Sequence, residues 1–179
     1  ADVGMSRAAA GRHVARWRSP GRVPDFDPVG LALLAEVVAG AYGKAYPTAL
    51  DDLVLAPLGL RHTGLLREPS PSLADCVITP ENCLPLQPRS FLAPVLGMTA
   101  SLDDLATFAA ALTRRDYPSR RLRDWLFERQ AGLNPGAPGF TGGMRERDLQ
   151  GRRALSLASN EAGAKAAIDI LPAQGIAVV

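Results

Sequence analysis

The block Gly43-Lys44-Ala45-Tyr46 opens the stretch that decides the fold, which continues through Leu55-Ala56-Pro57-Leu58-Gly59-Leu60 to Thr63-Gly64-Leu65. Between the first two blocks, residues 48–55 are predicted to form a helix. Pro57 and Gly59 are expected to end it, because proline removes a helical hydrogen bond and glycine readily adopts the left-handed conformation found after helices. The stretch therefore predicts a short helix between two glycine turns.

A longer helix is predicted just before this stretch, over residues 29–41. Its apolar residues recur at helical spacing. Asp27 is a plausible N-cap and Pro28 suits the first helical position. Glu36 in the middle, together with the short length, excludes this apolar run as a membrane span. We therefore expect a helix of a globular domain here.

The remaining elements predict an α+β layout. Residues 101–112 and 121–130 are expected to be helices, with Ser101 as N-cap of the first, and the six prolines of residues 67–94 predict a long loop. Residues 154–157, 167–171 and 176–179 are short apolar runs typical of strands. Helices first and strands last favour an antiparallel sheet packed with helices. We expect one domain over residues 1–179, made of a basic segment (1–25), a mainly helical part (26–130) and C-terminal strands (139–179).

The composition excludes several classes of function. A net charge of +2 on 179 residues gives no strong field for nucleic acid. Two histidines, His13 and His62, and no Cys-x-x-Cys motif predict neither a metal site nor a cofactor. Cys76 and Cys83 form a disulfide only in an oxidising compartment, and the alternative is two small, partly buried residues. The N-terminus has neither an initiator Met nor a signal-peptide core, so we expect a processed, trimmed or partial chain.

The opening stretch, taken with its neighbours, resembles the serine β-lactamase-like superfamily, which includes class C β-lactamases, penicillin-binding DD-peptidases and related esterases. The family's usual run of Gly-Lys-Pro-Tyr, a helix, Pro-Leu-Gly-Met and Thr-Gly-Phe aligns with residues 43–65 without a gap. Weaker matches at residues 20–34, 97–108, 140–144 and 170–179 extend the resemblance over residues 20–179. It implies a β-lactamase/transpeptidase-like fold that is incomplete at both ends, and a periplasmic or secreted location.

The family's chemistry, acyl transfer through a serine ester, requires a Ser-x-x-Lys nucleophile that this sequence lacks. Serine is a weak nucleophile, and the lysine one helical turn later activates it. The only lysines are Lys44 and Lys165, and the residues three positions before them are Ala41 and Ala162. No Gly-x-Ser-x-Gly elbow offers another nucleophile, and the pairs Asp51-Asp52 and Asp103-Asp104 are interpreted as capping charges at helix starts. No catalytic residue is therefore assigned.

The other two family motifs are altered in this chain. Where the resemblance implies Tyr-x-Asn, the residues are Phe26-Asp27-Pro28, which lack the phenol proton and the side-chain amide. Where it implies Lys-Thr-Gly or His-x-Gly, the residues are Leu157-Ala158-Ser159. We interpret all six residues as degenerate motif positions.

Three hypotheses follow. The first is a non-catalytic family member with a binding role, whose partner is a peptidoglycan-like, ester or β-lactam small molecule. The second is part of an active serine hydrolase whose nucleophile helix lies outside this chain. The third is an unrelated arginine-rich partner-binding domain, for which the salt dependence of heparin retention is diagnostic. Oligomeric state and substrate stay open.

Overall fold

A computed structural model describes residues 26–66, 76–78, 83–85, 91–114, 117–130, 139–161 and 164–179. The chain folds as two compact units. The described part of the first unit lies within Phe26–Ser101, and that of the second lies within Leu102–Glu161 and Lys165–Val179. The single domain stays a prediction, and the basic segment 1–25 lies outside the described residues.

The predicted long helix is confirmed as α1, Pro28–Tyr42. The Val29 N–H donates to the Asp27 carboxylate at 3.0 Å, so Asp27 is the N-cap, and Pro28 stands at the first helical position. Gly43 ends the helix with φ 75°, a left-handed conformation that favours glycine. The sequence thus specified both ends of α1.

The helix predicted over residues 48–55 is longer than expected. It begins as α2, Tyr46–Leu50, continues as a π-helical turn, Asp51–Leu55, and ends as α3, Ala56–Leu58. Pro57 was wrongly expected to stop it, since proline is tolerated in the first turn of the α3 segment. Gly59, with φ 69°, ends the helix as predicted. Asp51 and Asp52 therefore lie inside this helical run and do not cap its start.

The rest of the first unit consists of short elements. Strands β1, Gly64–Leu65, and β4, Met98–Thr99, pair antiparallel, and α4, Ala93–Leu96, precedes β4. The region predicted as a loop contains a small antiparallel hairpin of β2, Cys76–Ile78, and β3, Cys83–Pro85. The cysteine side chains lie outside what the structure describes, so their disulfide stays a prediction.

The second unit holds two helices and the main sheet. Helix α5, Leu102–Thr113, follows Ser101 as expected, and α6, Arg120–Phe127, ends three residues before its predicted end, Gln130. The sheet is antiparallel with the order β5-β6-β7-β8. Its strands are β5, Arg145–Leu149, β6, Arg152–Glu161, β7, Ala164–Leu171, and β8, Ile176–Val178. The sequence missed β5 because four of its five residues are charged. Helices with antiparallel sheets confirm the α+β class.

The core of the second unit lies between the sheet and its helices. Leu155 and Ile170 are fully buried and pack with Ile168, Met144 and side chains of α5. Leu155 stands opposite Glu146, and Ile170 stands opposite Ala177, so these residues share the core face of the sheet. Neighbouring residues such as Ile176 and Val178 project from the other face.

No single described helix is long and apolar enough to cross a membrane. Helix α1 and the run Tyr46–Leu58 pass that test only as a pair, and the pair is bent by 77°.

Candidate functional site

Phe26, Asp27 and Pro28, the positions predicted to correspond to the second family motif, lie together at the start of α1. The Asp27 carboxylate is occupied in capping the helix. A Cβ atom at position 30 would lie 2.7 Å from the other Asp27 carboxylate oxygen. Glycine at this position therefore leaves room for the cap. Pro28 has no N–H to donate. Asp27 and Pro28 fix the start of the helix. The Phe26 ring before them is 64% exposed.

The Phe26 ring lines an apolar groove of ≈ 340 Å³ in the first unit. Burial raises the pKa of the half-buried Tyr46 phenol, so this group stays neutral over the physiological range. Among the described lining residues the phenol is the only ionisable side chain, so this part of the groove suits a neutral, apolar group. The lining residues are Phe26, Leu31, Leu34, Ala35, Val38, Tyr46, Pro94 and Val95.

The positions predicted to correspond to the third family motif, Leu157, Ala158 and Ser159, lie on β6 in the second unit. Leu157 packs against the hydrophobic core, on the same face as Leu155. Ala158 and Ser159 are exposed. An apolar side chain at position 157 offers no positive charge to a substrate carboxylate. The positions predicted to correspond to the two motifs belong to different units.

A polar cluster that the sequence did not predict stands at the C-terminal end of α1. The Asp52 carboxylate accepts hydrogen bonds from the Lys44 ammonium at 2.8 Å and from the Tyr42 hydroxyl at 3.0 Å. The Lys44 Nζ also lies 5.4 Å from the centroid of the Tyr42 ring, a cation–π distance. Spacing alone could not reveal this cluster, because its members meet only after the chain turns at Gly43.

Hydrogen bonding shifts the pKa of all three groups in this cluster. The bond from Lys44, and then that from Tyr42, lowers the pKa of Asp52. The bond to Asp52 raises the pKa of Lys44 and that of Tyr42. Each pKa shift favours the protonation state in which these hydrogen bonds form, namely a carboxylate, an ammonium and a neutral phenol. The Lys44 and Tyr42 bonds to Asp52 thereby link the end of α1 to the helical run Tyr46–Leu58.

A second charged cluster holds the end of α6 against the sheet. The Arg153 guanidinium bonds the Glu146 carboxylate at 2.8 Å and the Phe127 carbonyl at 2.7 Å. The Arg129 guanidinium lies 3.3 Å from the other Glu146 oxygen. A side chain on Gly139 would overlap this pair, so the chain passes close to it. The cluster satisfies a helix-end carbonyl and is a structural contact.

Within the described residues, no group of three histidine, cysteine or acidic side chains could hold a metal ion. His62 is exposed in the turn before β1, as expected, while its carbonyl accepts from the Ser101 N–H. His13 lies outside the described residues.

A family model for β-lactamases matches residues 4–179. The chain belongs to the β-lactamase family. The resemblance stated from the sequence is thus confirmed. The comparison with curated protein sequences found no match for this β-lactamase-family chain.

Solved structures share the fold of this β-lactamase-family chain at low sequence identity. The crystal structure of SurE is 20% identical with a TM-score of 0.75, over 95% of this chain and 43% of that one. A class C β-lactamase from Rhodobacter sphaeroides is 14% identical with a TM-score of 0.74, over 96% and 58%. The citrate complex of a β-lactamase/D-alanine carboxypeptidase from Yersinia pestis is 16% identical with a TM-score of 0.63, over 85% and 47%. The chain therefore spans about half the length of these proteins.

Proposed function

We propose that this chain is a non-catalytic member of the β-lactamase family that binds a small molecule. The observation that carries the proposal is that no position matching a family motif bears a group able to do its chemistry. Acyl transfer requires an activated nucleophile, a proton shuttle and a donor to the substrate carboxylate. The chain has no Ser-x-x-Lys, a phenyl ring at Phe26, and an apolar side chain at Leu157 that packs into the core.

The substitutions at Phe26 and Leu157 oppose catalysis independently of the missing nucleophile. Even with a serine from a segment outside this chain, the site would have a phenyl ring at Phe26 where a phenol is required. It would also have leucine at position 157 where a cation is required. Removing one triad-type group from a hydrolase commonly costs several orders of magnitude in rate, and such groups act as a unit. The apolar groove beside Phe26 supports the retained binding role, because its walls are apolar and its one phenol is neutral.

A labelling experiment tests the absence of catalysis. The chain is incubated with a fluorescent penicillin and, separately, with an activated ester, and its intact mass is then measured. We expect no covalent adduct, while a class C β-lactamase treated in parallel is labelled. An adduct on any serine contradicts the proposal, and the variants Ser101→Ala and Ser159→Ala show whether the half-buried Ser101 or the exposed Ser159 carries it.

A binding experiment tests the ligand. Saturation-transfer NMR is run with a peptidoglycan-like peptide, an ester and a β-lactam, against the chain and its Phe26→Ala variant. We expect saturation transfer to at least one compound and its reduction in the variant. Thr107→Ala, on an exposed face of α5 in the second unit, is the matched control and should bind as the parent does. No transfer to any compound contradicts the binding role.

The alternative is that the chain is part of an active serine hydrolase whose nucleophile helix lies outside it. The observation that favours it is the length of the solved structures, of which the chain spans 43–58% in the examples above. The DNA upstream of the Ala1 codon distinguishes the two proposals. An in-frame Ser-x-x-Lys there supports the alternative, and its absence from the gene eliminates it.

A further inference from the structure

The apolar groove beside Phe26 has one polar side chain in its described lining. Four of the lining residues belong to α1, and they share one helix face because they are three or four positions apart. Two more belong to α4, which packs against α1. The polar side chain is that of Tyr46, the first residue of α2. All of these residues lie in the first unit.

The Tyr46 hydroxyl makes no hydrogen bond among the described residues, and burial alone raises its pKa. The Tyr42 hydroxyl differs, because its hydrogen bond to Asp52 at 3.0 Å is the largest cause of its own raised pKa. A phenol that is partly buried in apolar surroundings usually has a hydrogen-bond partner. Tyr46 therefore keeps a neutral donor that a ligand can use.

We propose that the groove selects a ligand with an apolar body and a neutral carbonyl, as in an ester, and that Tyr46 determines this specificity by donating a hydrogen bond to the carbonyl oxygen. Small-molecule sites commonly combine apolar walls with a few polar groups that orient the ligand. The inference rests on the binding role proposed above and names its ligand class.

A ligand carboxylate fits this lining poorly. The described lining contains no lysine, arginine or histidine to pair with a negative charge. Removing an ion from water is costly unless it is paired, and one phenol donor replaces only a small part of the hydration of a carboxylate. A peptidoglycan-like peptide, which ends in a carboxylate, is therefore disfavoured relative to a neutral ester.

Dissociation constants from ligand-observed NMR titrations test this specificity. The probes are methyl phenylacetate, the phenylacetate anion and ethylbenzene, which share an aromatic body and differ in charge and in hydrogen-bond acceptor. We expect the parent chain to bind the ester at least about tenfold more tightly than the anion. In Tyr46→Phe the affinity for the ester should fall roughly two- to tenfold, the effect of one neutral hydrogen bond. The affinity for ethylbenzene, which has no acceptor, should not change.

The matched control is Tyr42→Phe, which removes the same hydroxyl from a tyrosine outside the groove lining. This variant should bind all three probes as the parent does, and circular dichroism with thermal unfolding verifies that both variants fold. If neither the ester nor ethylbenzene binds the parent, the binding role fails and this inference fails with it.

Two other results would overturn the specificity while leaving the binding role intact. The first is that the phenylacetate anion binds the parent as tightly as the ester does. The second is that Tyr46→Phe leaves the affinity for the ester unchanged, or lowers the affinities for the ester and ethylbenzene equally. In that case the Tyr46 ring contributes only to the wall of the groove.

Discussion

At the scale of single residues, the positions predicted to correspond to the family motifs have structural roles. Asp27 caps α1, Pro28 starts it, and Leu157 packs on the core of the second unit. The sequence predicted the cap and the proline, because both are local signals. It could not predict the core contact of Leu157, since strand spacing alone does not say which face of a sheet is covered.

Asp27→Ala should destabilise the chain by about 0.5–2 kcal/mol, because it removes the side-chain acceptor of the Val29 N–H. Urea unfolding followed by circular dichroism measures the change. Asp51→Ala is the matched control, an exposed aspartate that caps nothing. If both variants lose equal stability, capping by Asp27 is not the cause.

The Asp52 cluster predicts a specific pH dependence. Since bonding to Lys44 and Tyr42 lowers the pKa of Asp52 below its ordinary 3.8, the stability it contributes is present above that value. It is lost as the pH falls through the lowered pKa. A carboxyl-detected NMR titration should show the Asp52 pKa rising in Lys44→Met and rising less in Tyr42→Phe, because the lysine bond is the larger cause. An unchanged pKa in Lys44→Met would mean that the pair does not persist in solution.

At the scale of elements, local signals were sufficient for α1 but not for the helical run after it. Both ends of α1 carry a cap that the sequence displays. The run Tyr46–Leu58 contains two prolines and a π-helical turn, and it stays helical because each proline falls in the first turn of a segment. The sequence did not predict strand β5, because most of its residues are charged. These charges are paired with Arg153, Arg129 and Asp169, which lie near β5 only in the folded chain.

Two glycines at the end of α1 should respond to alanine with opposite signs. Gly40 is helical and has open space around it, so Gly40→Ala should stabilise the chain by about 0.5–1 kcal/mol. Gly43 has φ 75°, which alanine adopts only with strain, so Gly43→Ala should destabilise by about 1 kcal/mol. Thermal unfolding compares the pair directly. Equal effects of one sign would contradict the helix boundary at Tyr42.

At the scale of the whole molecule, the sequence predicted the family of the chain but not how the buried side chains are divided between the two units. Among the described residues, the first unit buries three leucines and three alanines, namely Leu55, Leu60, Leu92, Ala32, Ala35 and Ala49. The second unit buries Leu112, Met144, Leu155, Ile168 and Ile170. Alanine withdraws little apolar area from water and the larger side chains withdraw much more, so the two units should differ in the free energy that holds them folded.

Hydrogen exchange should therefore be slowest in the paired strands β6 and β7 and much faster in α1. Local opening free energies follow buried apolar contacts, and α1 buries only two alanines fully while leaving Leu31, Leu34 and Val37 exposed. Exchange detected by mass spectrometry on peptides from each element measures the difference.

Leu155→Ala should speed exchange across β6 and β7, because truncating a fully buried leucine costs about 2–5 kcal/mol. Leu122→Ala, an exposed leucine of α6, is the matched control and should leave these strands unchanged. If α1 exchanges as slowly as β7 in the parent chain, the first unit is stabilised by contacts other than its own small core. If exchange in β6 and β7 is unchanged in Leu155→Ala, the sheet does not depend on the side chain that fills its centre.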